Sequence, residues 1–196
     1  MRYSNDHKAE TRRRVLKEAA REIRAKGPDG VAVAGVMARA GLTHGGFYAH
    51  FDSKDAMIAD AIGAMFEDAR ARADTIDQGT DPRAALRAYV DFYLSPAHRD
   101  HRDRGCPLPT LSGDLARSGD SQRARFGQGV EALAARLAGA LGAIGATDPQ
   151  GEATAMLAQM VGAVALARAV ADPIQSDAIL ANSRAALVRR YRLGDA

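Results

Sequence analysis

The chain has 196 residues, 46% of them hydrophobic and 26% charged, with a formal net charge of +3. That composition supports a packed core and excludes an intrinsically disordered chain. A single cysteine, Cys106, excludes a disulfide framework and a four-thiolate metal centre within one chain.

The charge is unevenly spread. Residues 1–55 carry eleven Lys/Arg against seven Asp/Glu, whereas the remainder carries sixteen against seventeen. The positive surplus therefore lies in the first quarter, as a surface facing phosphates requires. One thiol fits a reducing compartment. The polar stretch Met1–Thr11 predicts no secretory signal. No run reaches the ~18 apolar residues of a membrane span, so a cytoplasmic protein is expected.

No fixed-period repeat is present, and the only strand candidate, Gly30–Val36, is short. A first helix is predicted over about Lys8–Lys26. Thr11, Val15, Leu16, Ala19, Ala20 and Ile23 recur at three- and four-residue steps and give it one apolar stripe. Gly27-Pro28-Asp29-Gly30 ends it. A short second helix covers about Val33–Ala40 and closes at Gly41. Thr43 then caps a third over His44–His50. Ser53 caps a fourth from Lys54 to about Asp74, with Met57, Ile58, Ala61, Ile62, Met65 and Phe66 on one face.

A turn follows at Thr75–Thr80. Asp81-Pro82 starts a fifth helix with Leu86, Tyr89, Val90 and Tyr93 on its buried side. Ser95–Pro109 reads as the least regular segment. Further helices are predicted over about Thr110–Arg117, Asp120–Leu141, Asp148–Ala171 and Pro173–Leu193; Asp148-Pro149 and Asp172-Pro173 repeat the start signal. The fold class is all-α, with about nine helices.

The stretch Val33–Phe51 carries the functional signal. Two short helices joined by a glycine-bearing turn form a helix-turn-helix, with Gly41 suited to the left-handed backbone of the turn. The second helix of such a motif lies in the major groove and presents its N-terminal residues to base edges. Here those are Thr43, His44, Gly45 and Gly46.

From about Arg12 to Ile62 the chain resembles the TetR (tetracycline-repressor-like) family. The resemblance rests on Ala19/Ala20 followed by Gly27, on Ala40-Gly41-Leu42-Thr43, on Phe47-Tyr48-Ala49-His50-Phe51 and on Ser53-Lys54-Asp55. It implies a three-helix DNA-binding head, residues 1–53, and a helical body, residues 54–196, that binds an effector and dimerises through the last two helices. It further implies that Tyr48 and Lys54 touch phosphates, that Thr43, His44 and Gly45 approach the groove, and that Phe47 and Phe51 are core residues. Gly46, His50 and Arg13 complete the expected DNA-facing set.

Three features depart from the family pattern. His44 stands where many relatives have Lys, and Met37 where many have a small residue. Val31-Ala32 occupy the start of the second helix in place of a Ser/Thr cap. Gly45-Gly46 costs a helix roughly 2 kcal/mol against two alanines. The glycines either allow closer backbone approach to DNA or make room for Met37.

In the body, Phe66, Tyr89, Tyr93, Phe126, Val130, Met156 and Met160, together with Cys106, are candidate lining residues of a small-molecule pocket; core packing is the alternative for each. Met156, Met160, Ala163 and Ala167 recur on one side of the penultimate helix and suggest a dimer seam. Cys106 reads as a small buried hydrophobe or, beside Arg102, Arg104 and two histidines, as a redox or electrophile sensor. His98, Asp100, His101 and Asp103 are metal-ligand types, but an exposed charged loop is the favoured reading. No metal and no cofactor is expected.

Function is therefore expected to be that of a homodimeric repressor on a near-palindromic double-stranded operator, released by a small-molecule effector. The alternatives are the same fold sensing through Cys106, and a helical small-molecule-binding protein or enzyme with a vestigial head. No nucleophilic triad, glycine-rich phosphate loop or carboxylate pair argues for catalysis.

Overall fold

The computed structural model describes residues 2–74, 81–103 and 105–194, with side chains from Asp6 onward. Thr75–Thr80, where a turn is expected, and Arg104 lie outside the described residues. Among the described residues there is no strand; nine α-helices and one 3-10 helix form an all-α chain. They are α1 (Arg2–Lys26), α2 (Val33–Arg39), the 3-10 helix (His44–Ala49), α3 (Lys54–Ala73), α4 (Pro82–Tyr93), α5 (Pro96–Asp100), α6 (Leu108–Leu115), α7 (Asp120–Ala143), α8 (Pro149–Ala169) and α9 (Pro173–Tyr191).

The starts of these helices follow from cap chemistry. The Ser53 hydroxyl accepts the Ala56 N–H at 3.0 Å. Asp81, Asp148 and Asp172 accept the N–H groups of Arg83, Gly151 and Ile174 at 2.9, 3.0 and 2.9 Å. Each aspartate precedes a proline at the first helical position, where no backbone donor is needed. Helix α1 begins before Lys8 because no glycine or proline interrupts the chain until Gly27.

The segment read as least regular holds a helix of its own. Ser95 accepts the His98 N–H at 3.1 Å and Pro96 opens α5. This is the same cap-then-proline signal, with Ser in place of Asp.

The chain divides into two compact units, residues 1–67 with 110–129, and residues 68–109 with 130–196. In the first unit the α1 stripe is buried through Thr11, Val15, Ala19, Ala20 and Ile23, with Leu16 half-buried. Met57, Ile58, Ala61, Ile62 and Met65 of α3 are likewise sealed from solvent. Within this unit α3 and α7 approach closely at Gly129, where a Cβ would lie 2.4 Å from the Phe66 ring, so only glycine fits. Phe66 meets Phe126 edge-to-face with ring centres 5.6 Å apart.

In the second unit, α8 and α9 pair through Gln159 Nε2 to the Ser183 carbonyl (3.2 Å) and Ser176 Oγ to the Ala167 carbonyl (2.6 Å). Arg83 of α4 donates from Nη1 to the carbonyls of Tyr191 and Arg192 at 3.0 and 3.2 Å, and from Nη2 to that of Ile144 at 3.0 Å. One guanidinium thus serves the C-terminal ends of α7 and α9, where orphan carbonyls favour a cation.

Candidate nucleic-acid interface and ligand cavity

The turn between α2 and the 3-10 helix is built by the backbone. Gly41 has φ +72°, and the N–H groups of Leu42 and Gly41 donate to the carbonyls of Met37 and Ala38 at 2.9 and 3.0 Å. This paired closure requires a left-handed residue at Gly41. Helix α2 has no side-chain cap at Ala32. Its orientation on α1 comes from Glu22, which is 5% exposed and accepts from Lys26 Nζ at 2.9 Å and from Arg39 Nη2 at 2.5 Å. Burial alone would push the Glu22 carboxyl up. Its hydrogen bonds to Lys26 and Arg39, with their charges, outweigh burial and hold it below the usual carboxylate value.

The expected third helix is a 3-10 helix, and Thr43 precedes it without a side-chain cap bond. Two glycines in its second and third positions weaken an α-helical start. Thr43, His44 and Gly45 are exposed and Gly46 is half-buried. Phe47 and Phe51 are 2% and 3% exposed, but Tyr48 between them is 72% exposed. Phe47 stacks on Phe51 with centres 5.6 Å apart and meets Tyr48 edge-on at 5.2 Å. Arg12 lies 4.6 Å over the Phe51 ring and pairs with Asp60 at 2.5 Å, while Arg13 is exposed. Lys54 is half-buried, and its ammonium donates to the Asp29 carbonyl at 3.3 Å.

His50 is half-buried, and its enclosed Nδ1 has no partner among the described residues. Burial, then the charges of Lys8 and Arg12, lower its pKa, so the ring is neutral at pH 7. A Cβ on Gly45 would meet nothing within 4 Å. One on Gly46 would reach only Met37 Cε and Thr43 Oγ1, both at 3.8 Å, an ordinary contact. Room for Met37 therefore does not explain the glycine pair.

In the second unit a small cavity of about 10 Å³ is lined by Ala69, Arg72, Tyr89, Phe92, Tyr93, His98, Gly105 and Cys106. It gathers three of the residues expected from sequence: Tyr89, Tyr93 and Cys106. Phe66, Phe126, Val130, Met156 and Met160 are not among the residues that line it. Phe66 and Phe126 pack on each other in the first unit, Val130 is half-buried, and Met156 and Met160 are core residues at 1% and 0% exposure. Ala163 and Ala167 are also buried inside the chain. The exposed large apolar residues of α8 and α9 are instead Leu166 and Ile174, at 60% and 79%.

His98 is the residue that sequence reasoning missed. It is 5% exposed, whereas Asp100, His101 and Asp103 are exposed as expected of that loop. Its Nδ1 lies 2.7 Å from the Tyr93 carbonyl, and its Nε2 accepts the Cys106 N–H at 3.2 Å. A carbonyl can only accept, so Nδ1 carries the proton and the ring is a fixed neutral tautomer. Burial lowers its pKa, the Tyr93 bond opposes this, and the charges of Arg168 and Arg72 add to the lowering. The visible signal was Ser95-Pro96, which starts a helix and places His98 in its first turn. Arg168 donates to the carbonyls of Arg99 and His98 at 2.9 and 3.0 Å, bracing the same segment.

Tyr93 is 1% exposed, and its hydroxyl has no nitrogen or oxygen partner; it meets the Cys106 thiol. Burial first, then Cys106, raise the Tyr89 and Tyr93 phenols well above their usual value, so both stay protonated. Among the described residues no group of three His, Cys, Asp or Glu is placed to hold a metal ion. None of the described helices is long and apolar enough to cross a membrane.

A helix-turn-helix with an exposed, polar second element, set in an all-helical chain, is the architecture of a DNA-binding transcription regulator. Residues 15–61 match the family model described as bacterial regulatory proteins, tetR family. The helix-turn-helix of this chain is thus similar to that of the family, and the whole chain shares the fold of the solved regulators below.

Three solved structures illustrate the likeness. The reduced form of NemR from E. coli is 21% identical, with TM-score 0.81 over 92% of this chain and 96% of that one. A TetR transcriptional regulator from Chloroflexus aurantiacus J-10-FL is 23% identical, with TM-score 0.79 over 94% and 95%. A TetR-family regulator from Agrobacterium tumefaciens is 19% identical, with TM-score 0.77 over 93% and 98%. No curated protein matches the chain.

Proposed function

We propose that this chain is a homodimeric, ligand-responsive repressor whose head, residues 1–53, reads a near-palindromic operator and whose body, residues 54–196, binds the effector. The observation that carries the DNA-binding reading is Tyr48. A tyrosine 72% exposed between two buried phenylalanines is poorly explained by packing. It is well explained by a phenol reaching a phosphate from a rigid base. Exposed Thr43, His44 and Gly45 precede it on the same element. Gly46, His50, Lys54 and Arg13 complete the proposed contact set.

Dimerisation is proposed through α8 and α9, supported by the exposure of Leu166 and Ile174. Release follows if the effector binds one spacing of the two heads better than the other. Only differential affinity shifts such an equilibrium.

Fluorescence anisotropy with DNA flanking the gene tests this reading. Tyr48→Ala and Lys54→Ala are expected to weaken binding to all sequences by a similar factor, whereas His44 substitutions change preference among sequences. Tyr48→Ala binding its preferred site as tightly as the parent chain would remove the phosphate role.

A second reading, sensing by oxidation or alkylation of Cys106, is favoured by the place of this thiol in the cavity wall beside Tyr93 and His98. The fold neighbour described as a reduced form adds support. Cys106→Ser should then hold operator DNA in the presence of oxidants or electrophiles that release the parent protein. Equal release from both would end this reading.

A further inference from the structure

We infer that the effector is a small, planar molecule that bears a carbonyl-type oxygen and no positive charge, and that the hydroxyl of Tyr93 is the group that reads it. The inference rests on the ligand-responsive reading above and names the chemistry of its site.

Two polar groups at or beside the cavity are committed to the protein's own chain. His98 is spent at both nitrogens, one on the Tyr93 carbonyl and one on the Cys106 N–H. Arg168 is directed at the carbonyls of Arg99 and His98. Tyr93 differs. Its hydroxyl is sealed from solvent, lacks a nitrogen or oxygen partner, and faces only a thiol, a weak acceptor. A buried hydroxyl without a good acceptor is unfavourable, so a ligand oxygen that accepts its hydrogen bond gains what the protein leaves unmade.

Charge sets the rest of the specification. No Asp or Glu lines the cavity, and Arg72 does. Arg72 and Arg168 both act on His98, so the local potential favours a partially negative ligand atom and repels cations. Tyr89, Phe92 and Tyr93 supply aromatic walls suited to a planar ring.

The free space of about 10 Å³ holds roughly one water, so the wall must yield to admit a ring. Phe92 is 36% exposed with the Arg72 guanidinium 5.2 Å over its ring. That pair forms the solvent-exposed edge of the wall.

Titration calorimetry on the full chain with three probes of similar size tests the inference: acetophenone, ethylbenzene and 1-phenylethylammonium. Acetophenone should bind about tenfold tighter than ethylbenzene, the equivalent of one buried hydrogen bond, and the ammonium should not bind. Tyr93→Phe should reduce acetophenone to the level of ethylbenzene and leave ethylbenzene unchanged. The inference is overturned if Tyr93→Phe binds acetophenone like the parent chain, if the ammonium binds best, or if none of the three binds at millimolar concentration. Operator binding without probe is measured in parallel. Its retention alongside any of those results removes the ligand chemistry alone, whereas its absence removes the DNA-binding reading.

Discussion

Phe47 and Tyr48 are adjacent aromatic residues with opposite environments, one 2% and the other 72% exposed. The sequence shows why: Phe47 and Phe51 recur at a four-residue step and claim the core, leaving Tyr48 outward. Residue-level reading succeeded where a side chain's environment depends on its immediate neighbours. It failed at His98, whose burial depends on the Tyr93 carbonyl, Cys106 and the α5 turn meeting in space.

The glycines of the turn are separable on the same physical basis. Gly41→Ala forces an alanine to φ +72° and should lower stability by about 1–2 kcal/mol. Gly46→Ala meets only ordinary contacts and should leave stability unchanged or raise it by up to about 1 kcal/mol, while weakening DNA binding if the backbone approaches the duplex there. Urea denaturation and anisotropy measured on both variants check this. A comparable stability loss in the two would contradict it.

At the level of elements, the helix starts were the most legible feature. Asp81, Asp148, Asp172 and Ser53 all cap as their sequence positions imply. Two elements were misread for identifiable reasons. The 3-10 helix passed as an α-helix because the four-residue step from Phe47 to Phe51 is an α-helical spacing, whereas Phe51 lies beyond the element, which ends at Ala49. Helix α5 was overlooked because five residues hold too few apolar positions to show a period.

This short element also gives a pH dependence. His98 has a folded-state pKa below its ordinary 6.5, because burial opposes its charged form. The neutral ring therefore contributes stability that is fully present above about pH 6.5 and is lost as pH falls through the lower folded value. Protonation would also turn Nε2 into a donor and break the bond from the Cys106 N–H. Urea midpoints between pH 8 and 5 should fall more steeply for the parent chain than for His98→Asn. His50, lowered in the same direction, contributes equally to both. Parallel slopes would contradict the role given to His98.

For the whole molecule, the apolar period and helix punctuation were enough to read an all-α chain. Solved structures only 19–23% identical share its fold over more than nine-tenths of its length. Such low identity can preserve a fold because it preserves the pattern of buried positions more than their residues. The cavity was only partly legible, because Arg72, Phe92 and His98 come to it from three helices with no shared sequence signal.

The excess of positive charge in residues 1–55 gives the account its most direct test. Selection of sites from a random double-stranded library, followed by a salt titration of the selected site, measures specificity and phosphate contact together. The account predicts one near-palindromic sequence bound well above random DNA, with log affinity falling linearly as log salt rises and a shallower fall for Tyr48→Ala with Lys54→Ala. A library that yields no preferred sequence, or affinity indifferent to salt, would contradict it.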